Sequence, residues 1–538
     1  MPIGYNETAA EATVPADTDL LGIQQGTGIA NMKKITKGNL FAPTDASIAS
    51  LGASLAEAQA AIAALQARGR KIYGIDYNRS TWQTTILGDR VGLTCGVNQG
   101  SYTAPQNDLD SCYPWSGIVQ VKVNDTGEIT SRRGDLAYDS DPGDFMGGIP
   151  VFWFYDKELT IDGVIHRRIM ISDAPAEGFR IHPLFVNPDG TISSMRYRSR
   201  VHASYVDGKL RSLPDHYAKV DTSLIGFRSL CASKGSRWHV YDKQFQHAMF
   251  ILMAVEAGTF DLKRVFGYGV NAVPFGTGDN WKVTAAQTSQ ASVIVSTSTA
   301  SSFKVGMMVQ IGTAYHNSSV AANRRITAIA TYDSSNSIMS LDGDPFDSAV
   351  GNFVVCRYQP VTSAMMDAFR GGSGYLQPSG YSASSHCSTC WRGFWDSWGN
   401  VYSWIDGIMR QDGKVYLCFD PSKYANCDSS AAAKYPAVAE GWIDINYKPV
   451  VENGWQANRK VYDDGVHLCD LPEEVGAGST SGYCAYLYYF GASYQSGIRA
   501  VLAGGRWNNG SLCSILCELG DYAPSNTYYD FGSFLILL

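Results

Sequence analysis

The segment Trp391-Arg-Gly-Phe-Trp-Asp-Ser-Trp-Gly-Asn-Val-Tyr-Ser-Trp-Ile-Asp-Gly407 is the most informative part of this sequence. A related run, Gly504-Gly-Arg-Trp-Asn-Asn-Gly510, follows later in the chain. Both runs place aromatic side chains close to glycines. Glycine permits tight turns, and indole rings can fill a core that lacks long regular elements. The two runs therefore predict an aromatic core built from short elements.

Parts of these runs resemble a known family. Trp398-Gly-Asn-Val-Tyr-Ser-Trp-Ile-Asp-Gly407 is similar to the glycine-asparagine-valine-aromatic-x-tryptophan signature of the C-type lectin fold, as found in formylglycine-generating-enzyme-like domains and in the variable proteins of diversity-generating retroelements. Gly505-Arg-Trp-Asn-Asn-Gly-Ser511 and Ala523-Pro-Ser-Asn526 resemble the framework of the variable proteins. The resemblance implies framework residues that hold the fold rather than contact a ligand: Trp398, Gly399, Asn400, Trp404, Gly505, Arg506 and Trp507.

The resemblance extends into the first half of the chain. Ile171-Ser-Asp-Ala-Pro-Ala-Glu-Gly-Phe-Arg-Ile-His-Pro183 and Leu210-Arg-Ser212 are similar to the first half of the same domain in phage tail proteins. It thus covers most of residues 71–280 and 361–538, and it implies an α+β head with a C-type lectin fold. The dense aromatics, strand-like alternation and turn residues from Lys71 onward agree with a β-rich domain.

Residues 281–360 have a different composition. Aromatic residues become fewer, and runs such as Ser292-Val-Ile-Val-Ser296 predict short strands. We interpret this segment as a small all-β module inserted into the head. Upstream of it, Ile225 to Val255 predicts two helices, the second of which ends before Gly258.

The resemblance also assigns a variable, ligand-binding region to residues 512–531. In the variable proteins this region is built on asparagine codons that the retroelement mutates at adenines. The matching positions here are Leu512, Cys513, Ser514, Ile515, Cys517, Leu519, Asp521, Tyr522, Tyr528, Tyr529, Asp530 and Phe531. Each of these amino acids is reached from an AAC codon by changing only the two adenines. Trp, Met, Lys and Gln, which are not reached in this way, are absent from 512–531.

An alternative interpretation of 512–531 is ordinary terminal core. Glu518 does not arise from an AAC codon in this way, and a core strand also carries Leu, Cys, Ile and Tyr. Related proteins often end in Gly-Phe-Arg, whereas Gly532 precedes Ser533-Phe534-Leu535 here, which leaves the pairing of the final strand open. Clustered tyrosines favour binding, because they give a large amphipathic contact area for little rotamer entropy. We therefore expect the three tyrosines of this region to be exposed.

Residues 1–43 are poor in aromatics and are expected to be extended or irregular, with turns at Gly22, Gly26-Thr-Gly28 and Gly38-Asn39. The stretch from Asp17 to Leu40 resembles the N-terminal segments that attach phage tail fibres to the virion. The resemblance implies phage tail or baseplate proteins as partners of this segment.

A proline-free, alanine-rich segment, residues 44–70, follows Pro43. Its apolar residues fall at alternating spacings of three and four, which is the a/d seam of about three coiled-coil heptads: Ile48, Leu51, Leu55, Ala58, Ile62 and Leu65. The seam predicts self-association. The alternative is a single amphipathic helix packed on its own domain, because about three heptads are marginal alone in water. Fibre-type proteins are usually trimers, so the resemblance implies a homotrimer.

The composition disfavours several partners. The formal net charge is -7, charged residues make up 17% of the 538 residues, and no run of Lys or Arg exceeds two. The positive patch that nucleic acid or an anionic membrane requires is therefore missing from the sequence pattern. The longest apolar run, Ala248 to Val255, is far shorter than the ~18 residues of a membrane span. We see no secretory signal, and we expect synthesis in the host cytoplasm with most of the 12 cysteines reduced.

Metal chemistry is also disfavoured. His386-Cys387-Ser-Thr-Cys390 offers two thiolates to a zinc ion, but no second pair follows at finger-like spacing. Calcium-dependent lectins use an acidic, asparagine-bearing loop, and Trp507-Asn508-Asn509 lacks the acid. We expect no metal and no cofactor.

The case for an enzyme rests on two cysteines. Cys513 and Cys517 superficially resemble the pair with which formylglycine-generating enzymes use copper. Both fall at positions that the variable-protein interpretation treats as randomised, whereas catalysis requires a preorganised pair. His182, His239 and His247 are scattered among apolar or aromatic neighbours, as hydrogen-bonded core or surface histidines usually are. We therefore expect no enzyme activity.

The resemblance as a whole implies a phage tail-fibre receptor-binding protein, located in the virion, that determines host tropism. Its partner would be a host-cell surface receptor, either protein or glycan, bound through the diversified region. The alternatives are a formylglycine-generating-type copper oxidase and a purely structural fibre protein.

Overall fold

The structure is a computed structural model. It describes residues 20–24, 32–36, 70–99, 107–271, 281–315, 318–369, 372–376, 387–428, 434–446, 454–461, 470, 472–476, 486–489 and 497–538. The chain divides into two units, Met1–Arg70 and Lys71–Leu538.

In the first unit, the strands Leu20–Gln24 and Met32–Thr36 form an antiparallel hairpin in which Leu20 pairs with Thr36. Part of the segment expected to be extended or irregular is therefore a strand pair. The six heptad residues lie outside the described residues, so the coiled coil and the homotrimer stay predictions.

Two sheets are built mainly from the first half of the second unit. The first has five strands in the spatial order Arg180–Ile181, Trp153–Ile161, Val164–Ser172, Ile72–Asn78 and Thr84–Gly88. The second has six strands in the order Trp238–Val240, Leu535–Leu537, Met195–Ser199, Asp144–Pro150, Val119–Val123 and Ile129–Arg132. The strand Leu535–Leu537 answers the question that the sequence left open. It is wholly buried and pairs antiparallel with a strand on either side.

Five α-helices occur in the described residues: Leu224–Lys234, Lys243–Ala257, Leu262–Phe266, Thr297–Ala300 and Ser363–Phe369. The longest, Lys243–Ala257, is buried on nearly every side. Asp242 caps it by accepting a hydrogen bond from the backbone N–H of Phe245 at 2.8 Å, and Gly258 ends it in the left-handed region at φ 68°. The predicted helix end before Gly258 is confirmed.

The second half contains the largest sheet, which has nine strands in the described residues. Its spatial order is Trp442–Asp444, Lys414–Cys418, Tyr402–Gln411, Ile498–Ala503, Glu518–Leu519, Tyr486–Tyr489, Gly454–Val461 and Pro472–Gly476, and Phe531–Gly532 pairs in parallel with Tyr402–Gln411. A smaller sheet joins Phe394–Trp395, Ser388–Trp391, Gly374–Leu376 and Asn98–Gln99, and Ser204–Val206 forms a hairpin with Lys209–Arg211. The fold is mixed but mostly sheet, which is compatible with the predicted α+β class.

Residues 281–360 form sheets of their own. Six strands lie in the order Val283–Ala285, Ser292–Ser296, Asn336–Leu341, Ala321–Thr331, Met308–Gly312 and Phe353–Cys356, beside the pair Gln287–Gln290 and Phe346–Ser348. The hydrophobic core beneath them is shared with the head. One buried cluster joins Val309 and Met339 to Val401 and Trp507. The module is therefore packed onto the head through buried side chains.

The aromatic core predicted from the sequence is present. The largest side chains that are almost wholly buried include seven tryptophans: Trp115, Trp238, Trp391, Trp395, Trp398, Trp404 and Trp507. Removing a large apolar side chain from water contributes about 1.5–3 kcal/mol or more each. Such a core compensates for the shortness of most strands.

Candidate functional site

The turn at Trp398 fixes the framework on which the candidate site is built. Gly399 and Asn400 both lie in the left-handed region, at φ 75° and 63°. A Cβ on Gly399 would lie 2.8 Å from the backbone oxygen of Val270, so only glycine fits there. The Asn400 amide accepts from the backbone N–H of Gln359 at 2.8 Å and donates to its carbonyl at 2.7 Å. The motif thereby holds the segment that leaves the inserted module.

Trp404 anchors the strand Tyr402–Gln411 beneath the predicted variable region. Its Nε1 donates to the backbone oxygen of Thr222 at 3.0 Å, and its ring meets Phe531 edge to face at a centroid distance of 5.3 Å. Both rings are buried. Trp404 therefore has a structural position, as a framework residue should.

Gly505 and Arg506 connect the second motif to the variable region. Gly505 lies at φ 77°, and a Cβ there would stand 2.7 Å from the Sγ of Cys513. The guanidinium of Arg506 forms an ion pair and hydrogen bond with the carboxylate of Asp530, which is fully buried. These contacts close the loop between the two motifs.

Trp507 links that loop to the inserted module. It is 1% exposed, and its ring centroid lies 6.2 Å from that of Tyr358 and 5.8 Å from that of Tyr529. Tyr358 in turn donates its hydroxyl to the backbone oxygen of Ala218 at 2.8 Å. One buried tryptophan thus contacts both a residue near the module's end and a predicted binding tyrosine.

The structure corrects much of the predicted binding surface. Of its twelve residues, seven are buried: Cys513, Ser514, Ile515, Cys517, Leu519, Asp530 and Phe531. The physical reasons are local. Leu519 lies in a strand inside the large sheet, Asp530 is bound to Arg506, and Phe531 packs on Trp404. These side chains are not available to a ligand in this conformation.

The other five predicted binding residues have accessible side chains: Leu512, Asp521, Tyr522, Tyr528 and Tyr529. Tyr528 is 43% exposed, and the other four are half-buried. The ring of Tyr522 lies 5.2 Å from that of Tyr528, and both pack against Phe531, at 4.7 and 4.9 Å. We call Asp521, Tyr522, Tyr528 and Tyr529 the tyrosine surface.

Asp521 gives this surface an unusual carboxyl group. Its Oδ1 is buried and has no hydrogen-bond partner among the described residues. Burial raises the pKa of Asp521 to about 7, and the nearby Arg499 only partly opposes the shift. A carboxyl with that pKa is partly protonated at neutral pH, so it can donate as well as accept a hydrogen bond.

Tyr315 of the inserted module lies near Tyr529, which the sequence pattern did not indicate. Burial raises its pKa while the Arg506 guanidinium opposes the shift, and Tyr315 in turn helps to raise the pKa of Tyr529. Its ring lies 6.0 Å from that of Phe353, edge to face. No sequence signal joins Tyr315 to Tyr529, because they are brought together only by the packing of the module on the head.

The four cysteines considered as catalytic or metal-binding residues lie in the interior, where a thiol packs as a small apolar side chain. Cys513 and Cys517 are fully buried, and burial raises the pKa of the Cys513 thiol to about 12 and that of Cys517 well above its usual value. Cys387 and Cys390 are also buried, and burial raises the pKa of each thiol to about 12. A thiol must ionise to act as a nucleophile or metal ligand, so these sites favour neither role. His386 lies outside the described residues.

Two histidines that look scattered in the sequence are in contact. His182 Nε2 lies 2.9 Å from His247 Nδ1, and His247 Nε2 lies 3.3 Å from a carboxylate oxygen of Asp156. Asp156 also accepts from Arg167 at 2.9 and 2.6 Å. All four are buried, and burial lowers the pKa of His182 well below its usual value. The group forms a hydrogen-bonded core network.

Within the part of the chain that the structure describes, no group of three or more His, Cys, Asp or Glu side chains could hold a metal ion. Among the described helices, none is both long enough and apolar enough to cross a membrane.

Comparison with models of known protein families gives no match. A search of curated proteins gives none either.

Proposed function

We propose that this chain is a phage tail-fibre receptor-binding protein that binds a host-cell surface receptor through the tyrosine surface of a C-type lectin fold head. The observation that carries the proposal is the packing of Tyr522 against Tyr528, at a ring-centroid distance of 5.2 Å, with Tyr528 exposed above the buried ring of Phe531. Tyrosine supplies a large rigid contact area and a hydroxyl at low entropic cost, which is why antibody loops use it. A recognition surface that adapts to different receptors also needs a large contact area and hydrogen-bonding groups at low entropic cost.

The proposed contact set is smaller than the variable region as a whole. Leu512 and the four residues of the tyrosine surface remain as candidates for variation. Random replacement of Cys517 or Phe531, both at most 2% exposed, would create cavities or strain in the core. Variation at accessible positions changes the contact chemistry while the Trp404 and Trp507 anchors keep the loop in place.

The proposed action is binding without catalysis. The buried thiols of Cys513 and Cys517 lack the low pKa and access that a copper-dependent oxidation of a substrate cysteine requires. The proposal keeps the tail-fibre location in the virion, N-terminal attachment to the tail or baseplate, and a homotrimer. Three heads on one cell surface would multiply weak single-site affinities.

The test is binding of the purified, fluorescently labelled chain to a panel of intact bacterial strains, measured by flow cytometry. The double variant Tyr522→Ala, Tyr528→Ala is expected to lose at least tenfold in binding, since a hot-spot tyrosine contributes about 2 kcal/mol. The matched control is Tyr332→Ala, because Tyr332 is 54% exposed but lies in the inserted module. Absence of binding to every strain, or equal binding by both variants and the unmodified chain, would contradict the proposal.

A further inference from the structure

Lys234 and Asp144 form a buried pair where the helix Leu224–Lys234 meets the six-stranded sheet. Lys234 is the last residue of that helix, and Asp144 is the first residue of the strand Asp144–Pro150. Both side chains are 0% exposed, and the Nζ atom of Lys234 lies 2.7 Å from the Oδ2 atom of Asp144. Two segments that are far apart in the chain therefore place an amine and a carboxyl group in direct contact.

The contact between the two side chains lacks the geometry of a hydrogen-bonded ion pair. Despite the 2.7 Å distance, Oδ2 of Asp144 has no hydrogen-bond partner among the described residues. A hydrogen bond requires suitable angles as well as a short distance, and buried carboxylates are normally hydrogen-bonded. The amine nitrogen thus lies against the carboxyl group without donating to Oδ2. This arrangement is closer to the approach of a nucleophile than to a salt bridge.

The other carboxyl oxygen of Asp144 is held by two donors. Oδ1 accepts from the backbone N–H of Ser212 at 2.6 Å and from Nε of Arg211 at 3.1 Å. When an amine adds to a carboxyl carbon, negative charge develops on the oxygen that remains, and fixed donors at that oxygen lower the barrier. Oδ1 is therefore placed to become the amide oxygen, and Oδ2 is placed to leave.

The amine of Lys234 is held from its other side. Its Nζ donates to Oδ1 of Asp125 at 2.9 Å and lies 4.6 Å from the centre of the Trp238 ring. Lys209 also donates to Asp125, at 2.6 Å. Lys209 and Arg211 add two further cations around the two carboxylates, and surplus positive charge favours the loss of a proton from Nζ. The neutral amine is the nucleophilic form.

We propose that Lys234 and Asp144 join in an intramolecular isopeptide bond. The lone pair of Nζ forms a bond to Cγ of Asp144, and the bond between Cγ and Oδ2 breaks. Of the three protons on the lysine ammonium, two leave with Oδ2 as water and one stays on the amide nitrogen, so the step needs no co-reactant. Groups held in contact react at effective concentrations of about 10⁵–10⁸ M, and the exclusion of water opposes hydrolysis of the new bond.

The bond ties the end of the helix to the sheet by a link that survives unfolding. A cross-link between distant segments stabilises a fold mainly by restricting the unfolded chain. Unlike a disulfide, an isopeptide bond forms without an oxidant. The inference concerns the head alone, and it is independent of whether the tyrosine surface binds a receptor.

Mass spectrometry of the purified, denatured full chain tests the inference. The unmodified chain is expected to be lighter than its sequence predicts by one water molecule. Trypsin does not cleave after an acylated lysine, so digestion should yield a branched peptide in which residues 134–157 are joined to residues 229–237. Fragmentation of that peptide should place the link between Lys234 and Asp144.

Two matched variants separate this bond from other losses of water. Lys234→Arg keeps the positive charge but has no nucleophilic amine, so it should show the full mass and no branched peptide. Lys209→Arg makes the same change at the neighbouring lysine, whose ammonium pairs with Asp125, and it should keep the bond. Aspartate–glycine pairs such as Asp207-Gly208 also lose water when they form a succinimide, which hydroxylamine destroys, whereas the isopeptide bond resists hydroxylamine.

Three results would overturn the inference: a full sequence mass for the unmodified chain, no branched peptide that contains both residues, or the same loss of water from Lys234→Arg. The first two are measured on the unmodified chain after denaturation, so they decide the question even if a variant folds poorly. None of the three bears on the cell-binding test of the tyrosine surface.

Discussion

Trp507→Ala is expected to destabilise the head and the inserted module together. Trp507 is 1% exposed and packs against Tyr358 and Tyr529. Its Nε1 has no hydrogen-bond partner among the described residues, so the substitution removes packing and no hydrogen bond. Truncating a buried tryptophan costs about 3–5 kcal/mol. Trp507 shares a buried cluster with Val309 and Met339 of the module. The substitution should therefore destabilise both the head and the module.

Urea unfolding followed by circular dichroism measures the size of this effect, and hydrogen exchange with mass spectrometry shows where it falls. Exchange should rise in peptides from both 283–356 and 498–538. The matched control is Trp442→Ala, which removes a buried indole from a different cluster of the head and should spare the module. If Trp507→Ala speeds exchange only in 498–538, the two regions do not share a core and the reasoning is wrong.

Three further predictions concern the module, a titrating group and the coil. Deleting 281–360 should lower the melting temperature of the head by exposing Trp507; circular dichroism and proteolysis check this, and an equally stable deletion variant would show that the insert is autonomous. Burial raises the pKa of Asp521 to about 7, so the folded chain binds this proton more tightly than the unfolded chain, and stability should fall as pH rises from about 4 to about 7. Asp521→Asn should flatten the dependence of the urea midpoint on pH, and an unchanged slope would refute the assignment. Light scattering should show a trimer that the double variant Leu55→Asp, Ile62→Asp dissociates, and a monomeric intact chain would end the coiled-coil interpretation.

Local sequence signals predicted some features well. The end of the helix before Gly258 follows from a residue that adopts the left-handed region without strain. The motif around Trp404 predicted buried indoles between tight turns, because aromatic residues spaced by glycines commonly pack in the interior of a globular protein. In both cases the information lies within a few residues of the feature.

The candidate site depends on contacts between residues far apart in the chain, and the spacing of residues in the sequence does not predict such contacts. A run of Leu, Cys, Ile and Tyr suits a binding loop and a core strand equally. The sequence therefore did not predict the burial of Cys517 and Phe531. The approach of Tyr315 to Tyr529 and the packing of Tyr358 on Trp507 join residues far apart in the chain. Only the assembled sheets determine which of these side chains reach the surface.

The strand Leu535–Leu537 has a consequence for how the chain reaches its fold. It fills a slot between Met195–Ser199 and Trp238–Val240, both of which leave the ribosome long before it does. Pairings between such distant segments slow folding, because loop closure precedes the contacts that stabilise it. Until the slot is filled, two strand edges stay open to other nascent chains. The head therefore completes its six-stranded sheet only after residues 535–537 have been synthesised, and chaperones that shield open edges should raise the yield of folded protein.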